Sequence, residues 1–240
     1  RIQVPPDIVA LSEAVSPLTL PIVRDLHFRP GHLSRAPAAG AHVAATLQPL
    51  DLILVSLRAN SAGQIMRGYL THAALYLGTE AQLRTAGLWD TPALSPHHDA
   101  IRQGHVVIEA MGRPVEMTTL DQALDADAAV VLRPGRLTQA QQAATVTRAI
   151  ARLGVPFDNR FDAGDDSTLF CTDLALPDLA LPRDRLYGRD TILPDQIARA
   201  ALDGNADLTF ITFVHADRDG WAEGSAALLR ATIAANWSNP

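Results

Sequence analysis

A succession of short apolar runs, separated by turn signals, is the feature that most constrains how this chain can fold. Residues 51–57 form an almost unbroken aliphatic run, which is typical of a strand buried on both faces of a sheet. Other runs of strand-like length and composition cover residues 73–78, 105–110, 127–133 and 208–214. Together with the helical patterns, these runs predict an α+β fold in which helices pack on a small, mostly antiparallel sheet.

Helical patterns occupy the second half of the chain. Residues 138–153 give the clearest one, because Thr138 can cap the helix, Val146 and Ile150 share one face, and Gly154 can end it. Shorter patterns predict helices at residues 194–202 and 222–235. A short helical stretch is also expected directly after Cys171, where prolines at 177 and 182 limit its length.

The chain is predicted to form one domain, residues 49–240, preceded by an extension. Seven of the 16 prolines lie within the first 49 residues. Proline fixes φ and removes a backbone donor, so we expect residues 1–48 to lack long regular elements and to pack on the core. Residues 79–104 form a polar insertion that predicts a long loop, of the kind that often serves as a lid or specificity element.

Composition excludes several classes of function. A net charge of −6 without any basic run argues against nucleic-acid binding, which depends on clustered cations. The chain contains no apolar stretch of about 18 residues, so no membrane-spanning segment is predicted. All 20 basic residues are arginine, which is typical of a GC-rich bacterial genome. Because the chain begins at Arg1, we expect that a signal peptide or anchor was removed or left out before it.

Cys171 is the only cysteine, so it cannot form a disulfide within the chain. A lone cysteine with a histidine elsewhere in the sequence is a candidate nucleophile with its base, and His72 stands at the start of the predicted strand at 73–78. The competing interpretation is a small buried hydrophobic residue, since free cysteine is among the most buried residue types. The neighbouring sequence motifs favour the nucleophile.

Five motifs occur in a recognisable order. They read Leu-Asp-Leu-Ile at 50–53, Thr-His-Ala-Ala-Leu at 71–75, Ile-Glu-Ala at 108–110, Gly-Val-Pro-Phe-Asp at 154–158 and Phe-Cys-Thr-Asp-Leu at 170–174. This series resembles the circularly permuted, NlpC-type papain-like cysteine hydrolases of the YiiX-like branch, over roughly residues 49–200. The order His, Glu, Cys is the permuted one. Leu50 stands where that family has glycine, Phe170 where it has tyrosine, and Asp173 where it has glutamate.

The resemblance implies a catalytic site and a permuted papain-like fold. It implies Cys171 as nucleophile, His72 as base and Glu109 as the residue that orients His72, with Asp51, Thr172 and Asp173 as supporting positions. Three of these residues have an ordinary alternative: His72 as a polar residue at a strand end, Glu109 turned to solvent, and Asp51 as a common acid at the start of a strand. No cofactor is implied. The pair His97-His98 and His105 lack the spacing of zinc ligands, so no metal site is predicted.

Three functions remain open on the sequence. The resemblance favours an amidase or peptidase that forms an acyl-thioester on Cys171, with a peptide, an isopeptide or an N-acyl lipid as substrate, in a bacterial periplasm or cell envelope. The strand at 72–78 is also similar to one in lecithin:retinol acyltransferase-like proteins, which implies a lipid-active acyltransferase or thioesterase. Those proteins have a second histidine where Glu109 stands. The third possibility is a binding module without catalysis. Nothing in the sequence specifies an oligomeric state.

Overall fold

A computed structural model of the chain describes residues 28–60, 68–111, 113–157, 171–172, 184–186 and 189–238. Its central feature is a seven-stranded antiparallel sheet with helices packed against it, so the α+β prediction is confirmed. None of the helices within these residues is both long and apolar enough to span a membrane.

The strands of the main sheet run in the spatial order β4-β3-β2-β1-β5-β8-β9. Their bounds are Leu52–Ser56 (β1), His72–Tyr76 (β2), His105–Glu109 (β3), Glu116–Thr119 (β4), Ala128–Pro134 (β5), Leu208–Ala216 (β8) and Trp221–Gly224 (β9). Two further strands, Asp184–Leu186 (β6) and Arg189–Thr191 (β7), pair with each other. The middle strand, β1, is buried along its whole length, as its aliphatic sequence predicts.

The helices connect and cover the strands. They are Pro37–Thr46 (α1), Glu80–Thr85 (α2), His98–Arg102 (α3), Leu120–Ala123 (α4), Gln139–Ala151 (α5), Pro194–Leu202 (α6) and Ala226–Ser238 (α7), with 3-10 turns at Leu33–Arg35 and Pro92–His97. Three of them begin with the same capping box, in which a threonine and the glutamine three residues later satisfy free backbone N–H groups. These threonines are Thr79, Thr119 and Thr138.

The predicted strands agree with the structure to within a few residues, and so do the helices at α5 and α6. The sequence analysis missed β4 and β9. The helix predicted from residue 222 was wrong in its first turn, because residues 221–224 pair with β8 as an edge strand and α7 begins at Ala226. An edge strand with one exposed face carries no long apolar run, so its sequence resembles that of a helix or a loop.

The insertion at residues 79–104 is folded, although its sequence predicts a loop. It contains α2, the second 3-10 turn and α3. Trp89, which is 3 % exposed, stacks on His98 with the ring centroids 3.7 Å apart. The arginines at 84 and 102 place their guanidinium groups over the same indole. The insertion therefore folds around Trp89 and joins the main hydrophobic core.

The described part of the predicted N-terminal extension contributes to the main core. Leu33 and Val43 are buried there. Arg29 forms a bidentate ion pair with Asp127 at 2.7 Å, and the backbone N–H of Leu33 donates to the carbonyl of Ala126. These contacts attach the segment to the start of β5. Residues 1–27 lie outside the described residues.

Candidate active site

The structure brings Cys171, His72 and Glu109 together on one side of the sheet. The Cys171 thiol lies beside the His72 imidazole, close enough to raise the pKa of the ring. The imidazole Nε2 lies 2.8 Å from Oε2 of Glu109. Because Glu109 occupies Nε2, the nitrogen that remains for the thiol is Nδ1. An arrangement of this kind is chemically able to provide a nucleophile, a base and a residue that orients the base.

Strand pairing explains why these residues meet. His72 is the first residue of β2 and pairs with Val55 of β1, while Ala74 pairs with Glu109 of β3. Paired residues in an antiparallel sheet, and residues two apart on one strand, point to the same face. Glu109 is therefore the diagonal neighbour of His72. It is 2 % exposed, so the alternative in which its side chain points to solvent does not hold.

The environment favours the charged forms of the histidine and the glutamate. Burial lowers the pKa of His72, but hydrogen bonds with Cys171 and Glu109 outweigh burial and raise it from 6.5 to about 10. Burial raises the pKa of Glu109, and here the contacts with His72 and Thr118 outweigh burial and lower it. At neutral pH the pair is thus an imidazolium beside a carboxylate.

Thr118 is a residue of the site that the sequence analysis missed. It lies on β4, and its hydroxyl donates to Oε1 of Glu109 at 2.6 Å. Both carboxylate oxygens are thus engaged, Oε1 by Thr118 and Oε2 by His72. A buried carboxylate is tolerated only when it is paired in this way. Its sequence offers little signal, because Thr118 is a common residue type in a short polar strand that the sequence analysis did not predict.

The three predicted supporting positions differ in their placement. Thr172 is buried next to Cys171, both residues are helical, and the Thr172 hydroxyl donates to the carbonyl of Ile192 at 2.8 Å. His72 pairs with Val55 near the end of β1, whereas Asp51 precedes the start of that strand. Four residues of extended chain place Asp51 ~13 Å from Val55 along the strand. Asp173, and the helical stretch predicted to follow Cys171, lie outside the described residues.

Asp51 holds the start of β1 in place. Its carboxylate receives two hydrogen bonds of 2.8 Å from the Arg133 guanidinium and one from the backbone N–H of Gln48. The preceding residue, Leu50, has a φ of +73°, in the left-handed region that favours glycine. This is the position where the resembling family has glycine. Asp51 and its neighbours therefore shape a tight turn before the strand.

We expect Asp51→Asn to destabilise the protein without slowing its chemistry. The variant loses the negative charge that pairs with Arg133, and this guanidinium is only partly exposed, so the cost should be about 2–3 kcal/mol of unfolding free energy. Urea unfolding measures this loss. Turnover per folded molecule should stay within about twofold, because the carboxylate does not contact His72. A large loss of turnover at full folding would instead give Asp51 a role in the site.

Within the described residues, no group of three or more His, Cys, Asp or Glu side chains is arranged to hold a metal ion. His98 instead contacts the carbonyl of Trp89, and His105 contacts the carbonyl of Met117, both at 3.1 Å.

Comparison with known protein families gives a match over more than half of the chain. The family model described as permuted papain-like amidase enzyme, YaeF/YiiX, C92 family, matches residues 46–177, which is more than half of the chain. Cys171, His72 and Glu109 all fall within the matched residues. No curated protein and no solved structure matches the chain.

Proposed function

Because the chain belongs to the permuted papain-like amidase family, whose kind of activity is that of a cysteine hydrolase, we propose that it cleaves an amide bond through an acyl-thioester on Cys171. The observation that carries this proposal is the placement of three side chains together: the His72 imidazole lies 2.8 Å from the Glu109 carboxylate and beside the Cys171 thiol. The substrate we propose contains an amide bond: it is a peptide, an isopeptide or an N-acylated lipid. A binding module without catalysis would not need a buried imidazolium against its cysteine.

In the first half of the proposed reaction, the Cys171 thiolate attacks the carbonyl carbon of the amide. The tetrahedral intermediate then collapses and the C–N bond breaks. The imidazolium of His72 gives its Nδ1 proton to the departing nitrogen, so that a neutral amine leaves. The products are the free amine, an acyl-thioester on Cys171 and a neutral His72.

In the second half, water attacks the thioester carbonyl. His72 accepts the proton of the water and becomes an imidazolium again, and the C–S bond breaks to release a carboxylic acid and the thiolate. The Glu109 carboxylate stays ionised throughout. It fixes the imidazole by its hydrogen bond to Nε2 and stabilises the positive charge each time it forms.

An acylation experiment tests this proposal. The probe is the 4-nitrophenyl ester of an acetylated dipeptide, called the acyl probe below. We expect a burst of 4-nitrophenol followed by slower turnover, and an acyl group on the Cys171 peptide by mass spectrometry after acid quenching. Acylation elsewhere, or no acylation, would contradict the proposal. Adding an amine acceptor separates hydrolysis from acyl transfer, since a transferase would form the new amide in preference to the acid.

Glu109→Gln should slow hydrolysis of the corresponding dipeptide 4-nitroanilide by roughly 10- to 100-fold, since a charge-assisted hydrogen bond contributes about 1.5–3 kcal/mol. The imidazolium of the wild type persists to about pH 10, so the alkaline limb of its turnover should lie near that pH. Without the charge of Glu109 the pKa of His72 falls, and the limb should move to lower pH. Turnover measured from pH 6 to 11 shows both effects.

Glu116→Gln is the matched control for this variant. Glu116 pairs with Glu109 across β3 and β4, but its side chain is partly exposed and does not contact His72. We expect wild-type turnover and an unchanged alkaline limb, because substitutions of solvated side chains have small effects. If Glu109→Gln behaves like Glu116→Gln, the site is a Cys–His dyad with another residue orienting His72.

A further inference from the structure

Asp195 is a buried acid that the proposed reaction does not use. It is the second residue of α6 and is 0 % exposed. Its Oδ1 accepts from the backbone N–H of Leu70 at 2.7 Å. Its Oδ2 accepts from the backbone N–H of Tyr69 at 2.8 Å and from the Trp237 indole at 2.6 Å. A buried carboxylate is costly unless it is well satisfied, so three converging donors indicate a specific role.

Two of these donors belong to the turn that leads into His72. Tyr69 and Leu70 come immediately before Thr71 and His72, the first residue of β2. Gly68 begins this turn with a φ of +107°, and a Cβ placed on it would lie 2.5 Å from Oδ2 of Asp195. The backbone therefore wraps closely around the carboxylate. This contact fixes the direction in which the chain enters β2.

The segment that carries Asp195 also contacts the cysteine side of the site. Ile192, three residues before Asp195, accepts the hydrogen bond from the Thr172 hydroxyl at 2.8 Å. Thr172 follows Cys171 directly and is buried with it. Between these two contacts, the side chain of Gln196 accepts from the backbone N–H of Leu193 at 2.6 Å and holds the turn before α6. Residues 192–195 thus contact both sides of the pair: Thr172, which follows Cys171, and the turn at residues 69–70, which precedes His72.

We propose that residues 192–195 form a clasp that sets the position of His72 relative to Cys171, and that Asp195 is its positioning residue. This inference rests on the proposed function. The Asp195 carboxylate contacts neither reacting group, so it acts through the backbone of residues 69 and 70. A displacement of about 1 Å between a nucleophile and its base can cost on the order of 100-fold in rate.

The decisive variant is Asp195→Asn. Asparagine has nearly the same shape, but one acceptor oxygen becomes an NH2 group, which cannot accept from Tyr69, Leu70 or Trp237. We expect the maximum acylation rate with the acyl probe to fall by roughly 10- to 100-fold, while the half-saturating probe concentration stays within about twofold. Alkylation of Cys171 by iodoacetamide at pH 6 should slow as well, because the thiolate loses contact with the imidazolium.

Two control variants separate positioning from stability. Asp203→Asn changes an exposed acid that follows the same helix and pairs with Arg230, and it should keep wild-type rates. Trp237→Phe removes the indole donor of α7, together with part of the ring that lies under the Arg199 guanidinium, and leaves the turn at residues 69–70 bound to Asp195. It should lower the melting temperature but reduce acylation by at most about threefold. Equal loss of acylation in Trp237→Phe and Asp195→Asn would mean that Asp195 acts only on stability.

The remaining outcomes also decide the inference. A folded Asp195→Asn with wild-type acylation and alkylation overturns it. If that variant does not fold, Thr172→Val tests the other end of the clasp, and it should slow iodoacetamide alkylation at pH 6, whereas a wild-type rate overturns the inference. If the wild type is not acylated by the probe, the proposed function fails. Iodoacetamide alkylation still reports in that case whether Asp195 positions His72 against Cys171.

Discussion

Replacing Cys171 with alanine should abolish acylation by the acyl probe and lower 4-nitroanilide hydrolysis by at least about 10⁴-fold, because the covalent intermediate can no longer form. Cys171→Ser should be almost as inactive. A serine hydroxyl has the required shape, but next to an imidazolium it does not ionise as a thiol does. Burst kinetics and steady-state turnover measure both variants.

Neither cysteine variant should unfold the protein. Cys171 is 4 % exposed, and removing its sulfur deletes one buried atom, so we expect a loss of about 1 kcal/mol of unfolding free energy. Circular dichroism and a melting curve check this. Hydrolysis by Cys171→Ala above a tenth of the wild-type rate would rule out Cys171 as the nucleophile.

The second large effect is expected for His72→Leu, because this variant removes the group that both activates the thiol and protonates the leaving amine. General acid–base catalysis contributes about 10²–10⁴-fold. The loss should be greater for the 4-nitroanilide than for the acyl probe, since 4-nitrophenolate leaves without needing a proton. Equal losses on the two substrates would mean that His72 does not protonate the leaving group.

The same variant also tests the buried ion pair. His72→Leu leaves the Glu109 carboxylate buried without its cationic partner, which typically costs about 3–5 kcal/mol of unfolding free energy. Adding Glu109→Leu removes the uncompensated charge, so the double variant should recover much of the stability while remaining inactive. Urea unfolding of the two single variants and the double variant provides the comparison. No recovery in the double variant would argue against the ion pair.

Stability should depend on pH through the same pair. The pKa of folded His72 is raised above its ordinary value of 6.5, so its protonation stabilises the fold. This contribution is fully present below pH 6.5 and is lost as pH rises through about 10. The pKa of Glu109 is lowered, so its contribution is present above its ordinary value of 4.5 and is lost in acid as pH falls through its folded pKa. His72→Leu should remove the alkaline part of this dependence.

Much of the sheet could be predicted because four of its five inner strands are buried over most of their length. The runs that became β1, β2, β3 and β5 are apolar for local reasons, and a window of a few residues is enough to find them. The strands β4 and β9 lie at the two edges of the sheet and have exposed or half-exposed positions. Their sequences do not distinguish them from loops or helix starts, so only the pairing with β3 and β8 defines them.

The site divides in the same way. The order of the His, Glu and Cys motifs, through its resemblance to a known family, predicted that His72, Glu109 and Cys171 meet, and the structure places them together. Their catalytic roles stay a prediction. Threonine and aspartate are common in strands, turns and helix starts. Nothing local marks Thr118 as the donor to Glu109, or Asp195 as the acceptor for the turn before His72. These two contacts join residues nine and 125 positions apart in the chain.

The sequence by itself supplied the reactive residue types. It also determined where the buried strands run and where the capped helix α5 begins, because both depend on neighbouring residues. Only the tertiary structure decided which side chains face one another. The pairing of Ala74 with Glu109 places the Glu109 carboxylate against His72. Asp51, which the sequence had suggested for the site, instead forms an ion pair with Arg133. Burial can be inferred from local patterns, whereas register and partners arise from contacts between distant segments.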